Sequence, residues 1–127
     1  MLLLAGEGIA QTSQRRAVVD LSSGDTAVMS VTLRQLRNFR NADPQAQLEL
    51  VCHGPAVKLL MTDSTFFRDQ VVSLKKEQVE FKACGNSMKR MNIKAEQLLP
   101  ESDVVPAAII ELSDKQQEGW SYIKAGR

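Results

Sequence analysis

The feature that most constrains the fold is a regular alternation of short strand-like segments with segments of helical periodicity. In the helical segments, apolar residues recur every three or four positions. Parallel strands need a crossover connection, usually a helix, whereas antiparallel strands can be joined by a tight turn. The alternation therefore predicts an α/β fold, a three-layer sandwich with a mainly parallel sheet of about five strands and helices on both faces. The predicted strands cover residues 17–21, 48–52, 79–83, 103–106 and 120–124.

Local signals place several ends of the predicted helices. Asp25 or Ser23 can cap the first helix, which carries an apolar face. Pro55 suits the first turn of a second helix, and Gly119 closes the last one. The other helices are predicted over residues 66–76, from the turn after Cys84 to about Met91, and over residues 107–118.

Three arginines of the first helix, Arg34, Arg37 and Arg40, follow one another at helical spacing. Such a stripe can bind an anion or a partner subunit. A solvated helix face is the commoner arrangement, and it is the one we expect here.

Composition excludes several classes of protein. A chain of 127 residues with 43% hydrophobic and 24% charged residues makes one ordinary globular domain. The net charge is +1 and aromatic residues make up 5%, so neither the basic surface nor the stacking platforms of a nucleic-acid-binding protein are expected. No apolar run approaches the roughly 20 residues of a membrane span, so no membrane association is expected either.

The first residues differ from the rest of the chain. An apolar stretch over residues 2–5 is followed by small residues, as at the end of a secretory signal, but Glu7 interrupts it and a basic n-region is missing. We interpret residues 1–14 as a leader or the remnant of a signal segment, and residues 15–127 as a single domain. A leader predicts a cytoplasmic protein; a signal remnant over residues 1–10 predicts a periplasmic one.

A cysteine occupies the point where the third predicted strand meets a helix. Phe81 and Ala83 alternate as in a half-buried strand, Gly85 and Asn86 break the pattern, and helical spacing follows. Cys84 is thus predicted at the carboxyl end of a strand, facing the amino end of a helix. Unpaired backbone N–H groups favour negative charge there, so the thiol of Cys84 is a candidate thiolate nucleophile. The alternative is a buried cysteine that acts only as a small apolar side chain.

The other candidate groups are a second cysteine and a histidine at the end of the second predicted strand. Cys52 and Cys84 lack the spacing of a metal site, so we expect free thiols, no metal and no cofactor. His53 is predicted to share the carboxyl edge of the sheet with Cys84, where sites of α/β proteins collect. It can act as base or ion-pair partner of the thiol, or be a hydrogen-bonded loop histidine.

Four ordered blocks carry a resemblance to a known family. They are HGPAVKLL (53–60), VEFKACGNSM (79–88), VVPA (104–107) and GWSYIK (119–124). In combination they resemble the DsrE/DsrF-like family, over about residues 16–124. The resemblance implies a small parallel α/β domain that assembles into trimers or hexamers.

The resemblance also implies a function in sulfur relay, with sulfur donor and acceptor proteins as partners. Cys84 corresponds to the cysteine that carries sulfane sulfur as a persulfide, and His53 matches the His-Gly block. Gly85, Asn86 and Ser87 surround the thiol, and we expect Asn86 and Ser87 to donate hydrogen bonds to an added sulfur. The protein would then be a sulfur carrier, and a sulfurtransferase if it acts as an enzyme.

The alternative is a non-catalytic oligomeric binding or scaffold module with an inert Cys84. Cys52 is either a resolving thiol or a packed strand residue, and we favour packing. The aromatic residues can serve an interface or the core, and core packing is expected for Trp120, Tyr122, Phe66 and Phe67.

Overall fold

Five strands form one parallel sheet in the computed structural model, which describes residues 14–126. The α/β fold predicted from the alternation is therefore confirmed. The strands are β1 (Arg16–Leu21), β2 (Gln47–Cys52), β3 (Val79–Cys84), β4 (Ser102–Val105) and β5 (Ser121–Lys124). Their order across the sheet is β4-β3-β2-β1-β5.

The connections are helical. They contain the α-helices α1 (Thr26–Ala42), α2 (Arg68–Lys76), α3 (Gly85–Arg90) and α4 (Ala108–Gln117), and two 3-10 helices over Gly54–Leu60 and Ala95–Gln97. Asp25 caps α1 as predicted, because its side chain accepts a hydrogen bond from the Ala27 N–H at 2.8 Å. The segment after Pro55 is a 3-10 helix rather than an α-helix, and the predicted helix over residues 66–76 begins at Arg68.

The order of the strands fixes which face each helix covers. From β1 to β4 the chain moves in one direction across the sheet, and the connecting helices pack on one face, which we call the helix-rich face. After β4 the chain returns to the opposite edge, beside β1, and α4 packs on the other face, which we call the α4 face. Right-handed crossovers that run in opposite directions must lie on opposite faces of a parallel sheet.

The helix-rich face holds most of the core. Alternate strand residues such as Leu21, Leu50 and Phe81 are fully buried there against apolar residues of α1, α2 and the first 3-10 helix. Each such side chain contributes roughly 1.5–3 kcal/mol to folding. This face therefore supplies the rigid support from which the strand ends project.

The α4 face has a small apolar centre and a charged surround. Val18, Val51 and Cys84 pack there against Ala108 and Leu112 of α4. Because one helix cannot cover five strands, ionisable side chains occupy the rest of the face: Asp20, Glu49, Glu80, Lys82 and Lys124.

Two expectations about side-chain exposure were wrong in part. Arg40 is not solvated: it is 5% exposed, and its Nη1 donates to the backbone carbonyls of Asp43, Pro44 and Ala46. Arg34 is exposed, as expected.

The prediction of core packing is wrong for two of the four aromatic residues, Phe66 and Tyr122. Phe66 is 82% exposed and Tyr122 is 42% exposed, since Phe66 precedes α2 and Tyr122 lies on edge strand β5. Trp120 is partly buried against the α4-face centre and Phe67 against the helix-rich core.

All but the last residue of the predicted leader, 1–14, lie outside the described residues. Within residues 14–126, no helix has the length and apolar character needed to cross a membrane.

Candidate functional site

Cys84 lies at the carboxyl edge of the sheet, at the junction of β3 and α3. Its Sγ accepts the backbone N–H of Ser87 at 3.5 Å and that of Ala108 at 3.3 Å. The first bond caps α3, and the second joins the sulfur to the first turn of α4. The residue is 5% exposed, so the sulfur lies beneath this turn rather than in open solvent.

The surroundings of the sulfur favour its thiolate. Burial raises the pKa of the Cys84 thiol, but hydrogen bonds outweigh this effect and the pKa is lowered. The backbone N–H groups of Ser87 and Ala108 are the donors at hydrogen-bond distance, and the nearby Ser87 hydroxyl and Asn86 N–H also lower the pKa. Hydrogen-bond donors of this kind stabilise the thiolate more than the thiol.

Ser87 and Gly85 hold neighbouring loops against the cysteine. Ser87 is 3% exposed, and its hydroxyl oxygen accepts the backbone N–H of Gly54 at 2.8 Å. At Gly85 an added Cβ would lie 3.0 Å from the carbonyl oxygen of Val105, so glycine permits the loop after β4 to approach closely. Asn86 is exposed beside them.

His53 follows the last residue of β2, and its side chain forms a hydrogen bond with Asp20, which no sequence motif indicated as a site residue. The imidazole Nε2 lies 2.7 Å from Oδ1 of Asp20, and the structure gives the ring no hydrogen bond to Cys84. Asp20 is 7% exposed, and its other oxygen, Oδ2, accepts the hydroxyl of Tyr122 at 2.5 Å. The ionised phenol can no longer donate this hydrogen bond to Asp20, so the bond raises the pKa of Tyr122 to about 12.

Cys52 belongs to the opposite face. It is fully buried in the helix-rich core, where burial first, and the charge of Asp20 second, raise the pKa of its thiol well above the usual range. Both cysteines are free thiols, as expected, and Cys52 packs in its strand.

A signal for Asp20 was present in the sequence. A carboxylate within the apolar run AVVDL cannot be buried without partners, so its position in a predicted interior strand indicates a specific contact. Its partners could not be found in the same way, since Tyr122 is 102 residues away along the chain. Among residues 14–126, no three side chains of His, Cys, Asp or Glu are grouped as metal ligands.

Comparison with known proteins supports the same assignment of fold. A protein of unknown function from Methanobacterium thermoautotrophicum, MTH1491, matches with a TM-score of 0.84 and 25% identity, over 87% of this chain and 99% of that one. The ychN protein from E. coli matches with a TM-score of 0.75 and 14% identity, over 88% and 99% of the two chains. A conserved protein of unknown function from Bacteroides thetaiotaomicron, BT1422, matches with a TM-score of 0.69 and 13% identity, over 86% and 93%.

No curated protein matches the sequence. The profile of one family does match, over residues 11–125, which includes every strand of the sheet and the residues around Cys84 and His53. The chain therefore belongs to the DsrE/DsrF-like family.

Proposed function

We propose that this protein carries sulfane sulfur as a persulfide on Cys84. The DsrE/DsrF-like family is generally linked to sulfur relay. The observation that carries the proposal is the set of hydrogen bonds to the Cys84 sulfur, from the N–H groups of Ser87 and Ala108, which lower the pKa of its thiol. A thiolate is the form of cysteine that attacks sulfur.

The loading step is a thiolate exchange without net oxidation. The Cys84 thiolate attacks the outer sulfur of a donor persulfide, R–S–SH. A new S–S bond forms to Cys84, the donor's S–S bond breaks, and R–S⁻ leaves as a thiolate that takes up a proton. An acceptor thiolate then attacks the outer sulfur of the Cys84 persulfide, and Cys84 leaves as a thiolate. The hydrogen bonds that stabilise this thiolate make it a good leaving group.

This reaction sets requirements on the rest of the protein. The partners are a sulfur donor and a sulfur acceptor protein, and the activity, if catalytic, is that of a sulfurtransferase. Because Cys84 is 5% exposed, we propose that a donor reaches the sulfur from the carboxyl edge of the sheet, beside the first turn of α4. We propose that His53 assists at Cys84, that Gly85 and Asn86 contact the added sulfur, and that Ser87 donates to it.

Assembly and location are parts of the same proposal. A trimer or hexamer of this chain would cover exposed apolar residues such as Ile109 and Ile110 on α4. We propose a cytoplasmic protein in which residues 15–127 form one domain. The periplasmic alternative depends on residues 1–10, which lie outside the described residues.

The burial of Cys84 also favours a second candidate, an oligomeric binding or scaffold module. In that case the sulfur is a packed, unreactive group, and the exposed apolar residues of α4 serve only an interface. The two candidates differ in whether the folded protein gains sulfur.

The test is intact-mass measurement after exposure to a small persulfide donor. We expect the wild type to gain a reducible mass of about 32 Da, one sulfur atom. Cys84→Ser should gain none, and the matched control Cys52→Ala should gain sulfur as the wild type does. A folded wild type that gains no sulfur would reject the sulfur-carrier proposal in favour of the scaffold module. A Cys84→Ser protein that gains as much sulfur as the wild type would reject Cys84 as the carrier.

A further inference from the structure

A chain of hydrogen bonds crosses the carboxyl edge of the sheet on the α4 face. It runs from the hydroxyl of Tyr122 to Oδ2 of Asp20, at 2.5 Å, and from Oδ1 of Asp20 to Nε2 of His53, at 2.7 Å. The Asp20 side chain is 10% exposed and the His53 side chain is 32% exposed. The hydrogen bonds therefore connect a buried carboxylate to an accessible imidazole ring. A buried carboxylate is tolerated only when such partners satisfy it.

The strand register places the backbone of His53 beside that of Cys84. Cys52 is the Cα partner of Ala83, and the next residues along these parallel strands are His53 and Cys84. His53 still follows the strand path, because its backbone N–H donates to the Leu21 carbonyl at 3.1 Å and its conformation is extended. His53 and Cys84 thus hold adjacent positions on one face of neighbouring strands, which lie about 4.8 Å apart.

We propose that Asp20 and Tyr122 are positioning residues that hold the His53 imidazole beside the Cys84 sulfur, so that the proton of the thiol passes to His53. This inference rests on the proposed sulfur-carrier function and adds two residues to its site. Because Nε2 faces the Asp20 carboxylate, it carries the proton of the neutral ring, and Nδ1 is the acceptor. A thiol, a histidine and a carboxylate in this order form a nucleophile with an oriented base.

The proton that Cys84 releases is then returned to the leaving donor sulfur within the site. The Cys84 S–H proton moves to Nδ1 of His53, and Asp20 stabilises the resulting imidazolium. The thiolate attacks the outer sulfur of the donor persulfide, and the donor sulfur that leaves as R–S⁻ takes the proton from His53. No oxidant or reductant is consumed.

The other ionisable groups near the ring are engaged elsewhere. On β5, Lys124 Nζ lies 3.4 Å from the hydroxyl of Ser22, and on β3, Lys82 pairs with Asp103 at 3.1 Å. The α4 residues that line the groove beside Asp20 and Tyr122 are uncharged: Ile109, Leu112, Ser113, Gln116 and Gln117. Asp20 is therefore the carboxylate that acts on His53.

His53 is the one histidine of the sequence, so its ring nitrogens can be followed by ¹⁵N NMR without assignment ambiguity. We expect the neutral ring to be the Nε2-protonated tautomer. We also expect a second inflection in the His53 shifts, caused by ionisation of Cys84, that disappears in Cys84→Ser. Identical His53 titrations in the wild type and in Cys84→Ser would overturn the proposal.

Variants of the carboxylate supply the second readout. Asp20→Asn should raise the apparent pKa in the pH profile of Cys84 alkylation and slow labelling near pH 7 by about threefold or more. Asp43→Asn, a carboxylate at the opposite edge of the sheet, should leave the profile unchanged. An unchanged profile in folded Asp20→Asn would overturn the proposal. If Asp20→Asn does not fold, Tyr122→Phe replaces it, and it must change the His53 titration for the proposal to stand.

Sulfur loading separates this proposal from the sulfur-carrier function. If the wild type and Asp20→Asn load sulfur at the same rate, the positioning role is rejected and the carrier function stands. If the wild type gains no sulfur while the His53 shifts still report Cys84, the carrier function is rejected and the positioning of His53 stands.

Discussion

Cys52 and Cys84 end neighbouring strands, yet their side chains lie on opposite faces of the sheet. Cys52 is opposite Ala83 in the register, so Cys84 is one residue further on and points the other way. Cys52 packs in the helix-rich core and Cys84 under α4. The sheet itself therefore separates the two thiols and gives them different chemistry.

We expect a thiol reagent to label Cys84 before Cys52. The pKa of Cys52 is raised by its complete burial, whereas hydrogen bonds overcome the burial of Cys84 and lower its pKa. At neutral pH the labelling rate of Cys84 should exceed that of Cys52 by about tenfold or more. Peptide mass mapping after timed alkylation measures both rates, and unfolded protein is the control in which the two should react alike. Equal slow rates in the folded protein would contradict this expectation.

Removal of the Ser87 hydroxyl should lower the free energy of unfolding and raise the pKa of Cys84. In Ser87→Ala the backbone N–H of Gly54 loses its acceptor in a partly buried place, which should lower the free energy of unfolding by about 0.5–1.5 kcal/mol. The sulfur of Cys84 also loses one donor, so its pKa should rise and its alkylation near pH 7 should slow. Denaturant unfolding and the pH profile of alkylation measure the two effects.

Ser30→Ala, at an exposed position on α1, is the matched control and should change neither quantity. A Ser87→Ala protein with wild-type stability would show that the Gly54 N–H finds another acceptor.

A pair of carboxyl groups beneath α4 should make stability fall as pH rises. Burial first, and the neighbouring carboxyl group of Glu111 second, raise the pKa of Glu49 from its ordinary value of 4.5 to about 8. Two neighbouring buried carboxyl groups repel each other unless one is protonated, and Oε2 of Glu49 is buried with no hydrogen-bond partner among residues 14–126. Lys115, whose Nζ lies 3.9 Å from Glu49, offsets the effect only in part.

Between pH 4.5 and 8 the folded chain thus binds a proton that the unfolded chain releases, and the free energy of unfolding decreases with pH in this window. Glu49→Gln keeps the shape and removes the titration. At pH 8 it should be more stable than the wild type by about 1 kcal/mol or more. The fluorescence of Trp120, the one tryptophan, follows unfolding at each pH. Glu80→Gln, which alters a more exposed carboxylate of the same face, should retain the wild-type slope. An unchanged slope in Glu49→Gln would refute the raised pKa of Glu49.

The sequence predicted the features that depend on local patterns. The position of Cys84 followed from a strand, a turn and a helix within about ten residues, and the edge it shares with His53 followed from parallel strands. The contact of Asp20 with Tyr122 depends on β1 and β5 being neighbours, and the strand order that makes them so is a property of the whole chain. The burial of Arg40 was missed for a similar reason, because helical spacing does not tell which arginine meets the carbonyl groups beyond the helix end.

The close approach of two loops at Gly85 gives the last prediction. In Gly85→Ala the new Cβ would lie 3.0 Å from the Val105 carbonyl oxygen and 3.2 Å from that of Pro106, which are backbone atoms that can yield only if the loop after β4 shifts. That loop leads into α4 and carries the Ala108 N–H toward the Cys84 sulfur. We therefore expect Gly85→Ala to raise the pKa of Cys84 and to lower the free energy of unfolding by about 1–3 kcal/mol.

Gly24→Ala is the control for strain at the same edge of the sheet. Its new Cβ would lie 2.7 Å from the Cβ of Pro55, in a loop that does not donate to the sulfur. It should lower stability without changing the pH profile of Cys84 alkylation. If both variants lose stability and neither moves the profile, the Ala108 N–H is not required for the thiolate, and the N–H of Ser87 and its hydroxyl suffice.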